Sequence, residues 1–151
     1  MNNSLSRTFN QQILATDAGL AALVLRVPVG IIFAAHGAQK LFGWFGGYGL
    51  TGTAGWLESI GLAPGVLMAL LAGGAEFFGG LALILGLLTR PAAFALSIAM
   101  VVAIFSVHFS NGLFISNNGY EFGLALLAAS LSLLLSGGGT AAVDRWLAQK
   151  F

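Results

Sequence analysis

Cysteine is absent from this chain of 151 residues, and charge is scarce. Without cysteine, the chain has no disulfides, no thiolate metal site and no ordinary iron–sulfur ligands of its own. Charged residues make up 7% of the sequence and hydrophobic residues 58%, whereas a soluble domain has about 25% charged residues. Such a composition cannot cover a water-facing surface, and a net charge of +1 provides no basic field for nucleic acid. The sequence therefore predicts an integral membrane protein, with the lipid bilayer as its main contact.

Four apolar runs are long enough, or nearly long enough, to cross a membrane as helices, which takes about 20 residues. They are Gly19 to about Leu41, about Leu62 to Leu88, Ala92 to Phe109 and Gly119 to Ser136. Backbone groups in lipid have to be hydrogen-bonded internally, and none of the runs alternates as a barrel strand does. We therefore predict an all-α membrane bundle of four helices that forms a single domain, residues 1–151.

The ends and loops of the chain predict how the bundle is oriented. Residues 1–17 are polar and lack the features of a signal peptide, and residues 140–151 are expected to form an amphipathic tail. With four spans, one side of the membrane holds Arg7, Arg90, Arg145 and Lys150, and the other holds Lys40. Because basic residues are enriched in cytoplasmic loops, both termini are predicted to be cytoplasmic.

The outer loop between the first two predicted helices, residues 43–64, is rich in glycine and aromatic residues. Within it, Thr53 to Ile60 has the spacing of a short helix, with Trp56 and Leu57 on one face. Tryptophan favours the interface between lipid and water. This segment is predicted either to anchor the loop at that interface or to cover a site between the helices.

Two charged residues lie inside apolar runs, where charge is costly and marks a functional pathway or an ion pair. At about 1.5 Å per residue, Arg26 lies roughly 12 Å and Glu76 roughly 18 Å from the cytoplasmic edge. The helix face of Arg26 also carries Gly30, Gly37 and Lys40, and that of Glu76 carries Gly73 and Gly80. The glycines permit two helices to approach closely. We predict a buried Arg26–Glu76 pair, either structural or part of a site.

Three further polar residues are predicted at one depth near the outer face, because successive helices run in opposite directions. They are His36, His108 and Glu121. Two histidines and a carboxylate suit a metal ion, a proton relay or a polar head group. Each residue also has a structural explanation, since His108 complements a helix C-terminus, Glu121 can cap a helix and His36 can lie at the interface.

Short motifs follow one another in a characteristic order from Arg26 to Glu121. The first part comprises Arg26, Phe33-Ala34-Ala35-His36-Gly37, Lys40-Leu41-Phe42-Gly43, Gly46-Gly47-Tyr48-Gly49, Gly52-Thr53-Ala54 and Gly61-Leu62-Ala63-Pro64. The second part comprises Leu71-Ala72-Gly73, Glu76-Phe77-Phe78-Gly79-Gly80, Gly86-Leu87-Leu88-Thr89-Arg90, His108 and Gly119-Tyr120-Glu121. This pattern resembles the DoxX family of small bacterial membrane proteins.

The resemblance implies a four-helix protein of the bacterial inner (plasma) membrane with both termini in the cytoplasm. It also implies an association with redox chemistry. Members of the family include a membrane subunit of a thiosulfate:quinone oxidoreductase and proteins linked to quinone, catechol or oxidative stress. The resemblance carries no catalytic assignment onto individual residues of this chain.

From these features we predict a redox-linked membrane subunit that binds a quinone or a similar apolar ring in the outer half of the bundle. The predicted site comprises His36, His108 and Glu121 beside the ring, Arg26 and Glu76 beneath it, and Phe33, Phe77 and Phe78 in its wall. The chain has no evident electron carrier of its own, so we expect its electrons to come from a bound cofactor or a partner. As partners we predict a redox protein or further copies of the chain in a homo-oligomer. A haem held by both histidines, or a metal, is an alternative cofactor. The alternative functions are a non-enzymatic assembly scaffold and a transporter of small molecules or protons.

Overall fold

The computed structural model describes residues 18–150, and every regular element in that range is helical. The polar segment predicted at residues 1–17 and the last residue of the predicted tail, Phe151, lie outside the described residues. The elements are α1 (Ala21–Phe42), α2 (Gly49–Ser59), α3 (Gly65–Leu85), α4 (Thr89–Ala103), α5 (Glu121–Ser136) and α6 (Val143–Ala148). The predicted all-helical class is confirmed, and the helix expected in the outer loop begins four residues before Thr53.

Among residues 18–150, three helices are long and apolar enough to cross a membrane: Ala21–Phe42, Gly65–Leu85 and Thr89–Asn111. The third consists of α4, a π-helical turn at Ile104–His108 and a 3-10 turn at Phe109–Asn111. It begins before the predicted Ala92 because Pro91 fits the first turn of a helix, where its missing N–H has no intrahelical acceptor. The fourth apolar helix, α5, has 16 residues.

α1 and α3 form the largest interface between described helices, and glycine makes it possible. A Cβ atom on Gly37 would lie 2.3 Å from the backbone nitrogen of Phe77, and one on Gly80 would lie 2.4 Å from that of Ala34. These distances are shorter than any real contact, so the two backbones touch only because the side chains are absent. The predicted glycine faces therefore meet as expected.

The two ends of the described chain come together at one end of the bundle, which we call the terminal end. The Thr140 N–H donates to the Gly19 carbonyl at 3.0 Å, and the Asp144 N–H donates to the Gly86 carbonyl at 2.9 Å. We call the opposite end, which carries α2 and the loop before α5, the distal end. The buried apolar core, which includes Leu83, Leu96 and Leu133, fills the bundle from the terminal end to its middle.

Candidate ligand-binding cavity

Arg26 is 1% exposed and is bound by backbone carbonyls rather than by a carboxylate. Its Nη1 donates to the carbonyls of Leu83 and Ile84 at 2.7 and 2.5 Å. Its Nε and Nη2 donate to the carbonyls of Gly138 and Ala141 at 3.0 and 2.8 Å. The guanidinium thus joins the last turn of α3 to the loop that follows α5.

The predicted Arg26–Glu76 pair is wrong, and the direction of helical side chains explains why. Gly37 packs against the backbone of Phe77, so Glu76 is level with a position 11 residues from Arg26, about 16 Å along α1. Helical side chains also lean toward the N-terminus of their own helix. Because α1 and α3 are antiparallel, Arg26 leans to the terminal end and Glu76 leans to the distal end.

Asp144 completes the terminal end beside Arg26 and is also 1% exposed. Its two carboxylate oxygens accept hydrogen bonds from the N–H groups of Leu88 and Thr89, at 2.6 and 2.8 Å. These N–H groups lie at the start of α4 and have no acceptor within the helix. Asp144 therefore caps α4 from α6, and with Arg26 it fastens the loop after α5 onto the bundle.

Glu76 is paired with Lys40, whose Nζ lies 2.5 Å from Glu76 Oε2. Glu76 is 4% exposed, whereas the Lys40 side chain is 28% exposed. Lys40 belongs to the same predicted helix face as Gly37, and it leans toward Glu76 because it points back along α1. The pair lies in the distal half of the bundle, and sequence reasoning missed it.

A cavity of about 660 Å³ occupies the distal half. Residues of α1, α2, α3, α4 and α5 form its walls, and most of them are apolar. The lining includes seven side chains that carry charge or hydrogen-bonding groups: His36, Lys40, Trp56, Glu76, Ser106, His108 and Asn118. Its volume falls within the range of about 300–1,000 Å³ that is typical of ligand pockets.

The lining of the cavity reaches the side of the bundle through exposed apolar residues of α3 and α4. Leu71 on α3 (59% exposed) lines the cavity, as do Ile98 (50%) and Val102 (43%) on α4. Alanines line the gap beside them, Ala72 and Ala75 on one helix and Ala95 and Ala99 on the other. Small residues at these positions leave the space between the two helices unfilled.

The π-helical turn Ile104–His108 shapes one wall. Such turns insert a residue into the helical register and occur frequently at functional sites. Here Ser106, Val107 and His108 all line the cavity. The Nδ1 of His108 lies 2.9 Å from the carbonyl oxygen of Asn118, which fixes the orientation of the ring.

The structure brings four of the predicted site residues to the cavity: Phe33, His36, Glu76 and His108. Phe33 forms part of its apolar wall, and His36 stands beside Phe122 with ring centroids 6.1 Å apart. The charges of Lys40 and Glu76 both act on His36. The cavity therefore contains a polar group centred on α1 and α3 and a second one centred on His108.

The other predicted residues lie elsewhere. Arg26 is held at the terminal end, and Phe77 packs edge to face against Phe42, with centroids 5.1 Å apart. Phe78 is 64% exposed on the bundle surface. Glu121 does not line the cavity, because its Oε1 accepts a hydrogen bond of 2.6 Å from the Ile115 N–H. It holds the loop before α5, which accords with a structural role.

Lys40, Ser106 and Asn118 line the cavity although sequence reasoning did not place them in a site. Lys40 had a signal, since it shares the helix face of Arg26 and Gly37. Ser106 and Asn118 had none, because their positions depend on the π-helical turn and on the irregular loop that follows it. Within residues 18–150, no three His, Asp or Glu side chains lie close enough together to hold a metal ion.

Comparison with known proteins gives one family and several relatives. The family model for DoxX matches residues 21–109. A Haemophilus influenzae protein of no stated function is 37% identical over 80% of this chain and 85% of its own length. "Putative oxidoreductase CatD" of Bacillus subtilis is 34% identical over 83% of this chain and 85% of its own length. "Inner membrane protein YqjF" of Escherichia coli is 31% identical over 89% of this chain and 96% of its own length. No solved structure matches the chain significantly.

Proposed function

This chain belongs to the DoxX family, and from that premise we propose that it binds a quinone-like ring in the distal cavity as the membrane subunit of a redox system. Its family, its three membrane-length helices and its similarity to an inner membrane protein make it a multi-pass protein of the bacterial inner membrane. The observation that carries the proposal is the cavity, which combines an apolar wall with two separate polar groups.

The cavity has the chemistry that a quinone requires. A quinone ring has two apolar faces and two polar oxygens, so it needs an apolar slot with hydrogen-bonding groups at its ends. Lys40 and Ser106 can donate to the carbonyls of the oxidised ring, and His108 can accept from a hydroxyl of the reduced ring. A bound quinone would supply two-electron redox chemistry, and a protein partner would supply or remove the electrons.

The exposed apolar side of the cavity supports a ligand that comes from the bilayer. Leu71, Ile98 and Val102 are apolar and border the gap between α3 and α4. A ring carrying a hydrocarbon tail would enter through this gap and leave its tail among the lipids. The name of the Bacillus subtilis relative, an oxidoreductase, agrees with a redox role.

We further propose that α5 is a fourth span, that both termini face the cytoplasm and that α2 lies at the outer interface. The 16 residues of α5 extend about 24 Å, and the bilayer accommodates a short span by local thinning. The basic residues Arg90 and Arg145 lie at the terminal end, on the side predicted to be cytoplasmic.

Cysteine labelling in intact cells is expected to report this orientation cleanly, since the chain has no native cysteine. Glu58→Cys, on the exposed face of α2, should react with a membrane-impermeant maleimide added outside. Arg145→Cys, on α6, should react only after the inner membrane is permeabilised. Labelling of Arg145→Cys in intact cells, with Glu58→Cys protected, would contradict the proposed orientation.

Quinone binding is expected to quench Trp56, which lines the cavity. The measurement uses protein with Trp44→Phe and Trp146→Phe in liposomes, titrated with a benzoquinone that carries a decyl tail. We expect saturable quenching. Ala99→Phe, which adds an aromatic ring inside the cavity, should raise the dissociation constant at least about tenfold, because the ligand and the new ring compete for the same volume.

The matched control is Ile31→Phe, which adds the same ring on a surface 55% exposed and away from the cavity. It should leave the dissociation constant within about twofold, as expected for a surface substitution. Quenching that rises without saturation, or that is equal in the Ala99→Phe protein, would show that the quinone is only dissolved in the lipid. That result would favour the assembly-scaffold alternative.

A further inference from the structure

We propose that the cavity distinguishes the reduced ring from the oxidised ring, and that His108 makes the distinction by accepting a hydrogen bond from a ring hydroxyl. This inference rests on the proposed function, because it concerns the same cavity. It assigns the preferred ligand as a dihydroxy aromatic ring, a quinol or a catechol, and names a residue that determines specificity.

The hydrogen bond of His108 fixes which of its ring nitrogens carries a proton. Nδ1 lies 2.9 Å from the carbonyl oxygen of Asn118. A carbonyl oxygen can only accept, so Nδ1 must donate. In the neutral imidazole, Nε2 then carries no proton and is an acceptor. The Asn111 amide donates to the same carbonyl at 3.2 Å, which occupies its second lone pair and holds the loop in place.

The second ring nitrogen of His108 is available to a ligand. His108 lines the cavity, and within residues 18–150 its Nε2 has no hydrogen-bond partner. The π-helical turn that ends at His108 carries the residue to the cavity wall. The backbone therefore presents a histidine of fixed tautomer whose unused nitrogen accepts.

The other polar groups of the cavity lining do not make the same distinction. Lys40 is a donor, and Glu76 is an acceptor whose Oε1 has no partner within the described residues. Side by side they can bind either a carbonyl or a hydroxyl. His36 and Ser106 can likewise donate or accept. His108 is the polar group of the cavity whose role a backbone contact fixes.

A hydroxyl of a quinol would donate a hydrogen bond to His108 Nε2. A carbonyl oxygen of the oxidised ring would instead face Nε2 with no proton between the two acceptors. An unsatisfied polar group of this kind changes an equilibrium by roughly tenfold. We therefore expect the reduced ring to bind about tenfold more tightly than the oxidised ring. For a two-electron couple, that ratio raises the midpoint potential of the bound ring by about 30 mV.

The test compares displacers of the decyl-tailed quinone from the protein that retains only Trp56, at pH 8 and without oxygen. The displacers are a tailless hydroquinone, the corresponding benzoquinone and the dimethyl ether of the hydroquinone, which has no hydroxyl and no redox activity. No reductant is added, because it would convert the benzoquinone and the quinone probe into quinols. The hydroquinone is chosen so that its couple has a higher potential than that of the probe and it does not reduce the probe. In the wild-type protein, the hydroquinone should displace the probe at about one tenth of the concentration of the other two.

His108→Gln is expected to reduce this preference below about twofold, because an amide can rotate to donate or accept. The preference is calculated from displacement constants corrected for the affinity of the variant for the probe. Ser110→Gln places the same side chain two residues further along, outside the cavity, and should keep the full preference. Equal displacement by all three rings in the wild type would overturn the inference while the proposed function stands. So would a preference that survives His108→Gln. Absence of saturable probe binding would overturn the proposed function, and this inference with it.

Discussion

Arg26→Met is expected to lower the free energy of unfolding by about 4 kcal/mol or more, since it removes one member of a buried, charged network. The substitution removes the donor that Arg26 supplies to four backbone carbonyls, of which that of Leu83 also accepts from the Gly86 N–H. It also removes the positive charge that acts on the buried Asp144. Unfolding of the purified protein in mixed detergent, followed by circular dichroism, would measure the loss.

Two variants separate this network from a general need for positive charge. Arg26→Lys should recover less than half of the stability, because one ammonium cannot reach carbonyls on two segments as a planar guanidinium does. Arg145→Met removes an exposed arginine from α6 and should change stability by less than about 0.5 kcal/mol. A loss below about 1 kcal/mol for Arg26→Met would contradict the role assigned to the guanidinium.

Lys40→Met is expected to cost about 3 kcal/mol, because it leaves the Glu76 carboxylate buried without a partner. Glu76→Gln should cost less, about 1 kcal/mol, since Lys40 is partly exposed and its long side chain can reach the interface. The double variant should be more stable than Lys40→Met alone. Chemical unfolding of the four proteins forms a thermodynamic cycle that measures the coupling.

A second cycle tests the register of the two helices. Arg26→Met and Glu76→Gln should be additive within about 0.5 kcal/mol, since the two residues share no partner. Coupling between Arg26 and Glu76, or its absence between Lys40 and Glu76, would mean that α1 and α3 pack in a different register. Glu58→Gln, at an exposed position of α2, is the control for removing a carboxylate.

The contacting faces of the two helices could be predicted from the sequence, because the glycines and the charged residues recur together at the spacing of one helix face. Gly37 and Gly80 lie on the predicted faces, and in the structure α1 and α3 pack against each other through these glycines. The partner of Glu76 could have been predicted from the same helix face. Lys40 lies on the same face, and the lean of helical side chains toward the N-terminus favours it over Arg26.

The partners of Arg26 could not be predicted in this way, because backbone carbonyls have no sequence pattern. Two of them belong to Gly138 and Ala141, which follow Arg26 in the sequence by 112 and 115 positions. The cavity was predictable only in part. Phe33, His36, Glu76 and His108 line it, but Phe77 lies on a different face of α3 from Glu76. The π-helical turn that brings Ser106 and His108 to the wall is set by tertiary packing.

The hydrogen bonds of Arg26 also impose an order on biosynthesis. The arginine enters the membrane with α1, long before Gly138, Ala141 and Asp144 are translated. Until those residues leave the ribosome, the guanidinium lacks two of its four acceptors and the start of α4 lacks its cap. The terminal end of the bundle therefore closes late, as its last loop arrives. A nascent chain halted before residue 138 holds an incompletely satisfied charge in lipid, the kind of exposed defect that membrane chaperones and quality-control proteases act on.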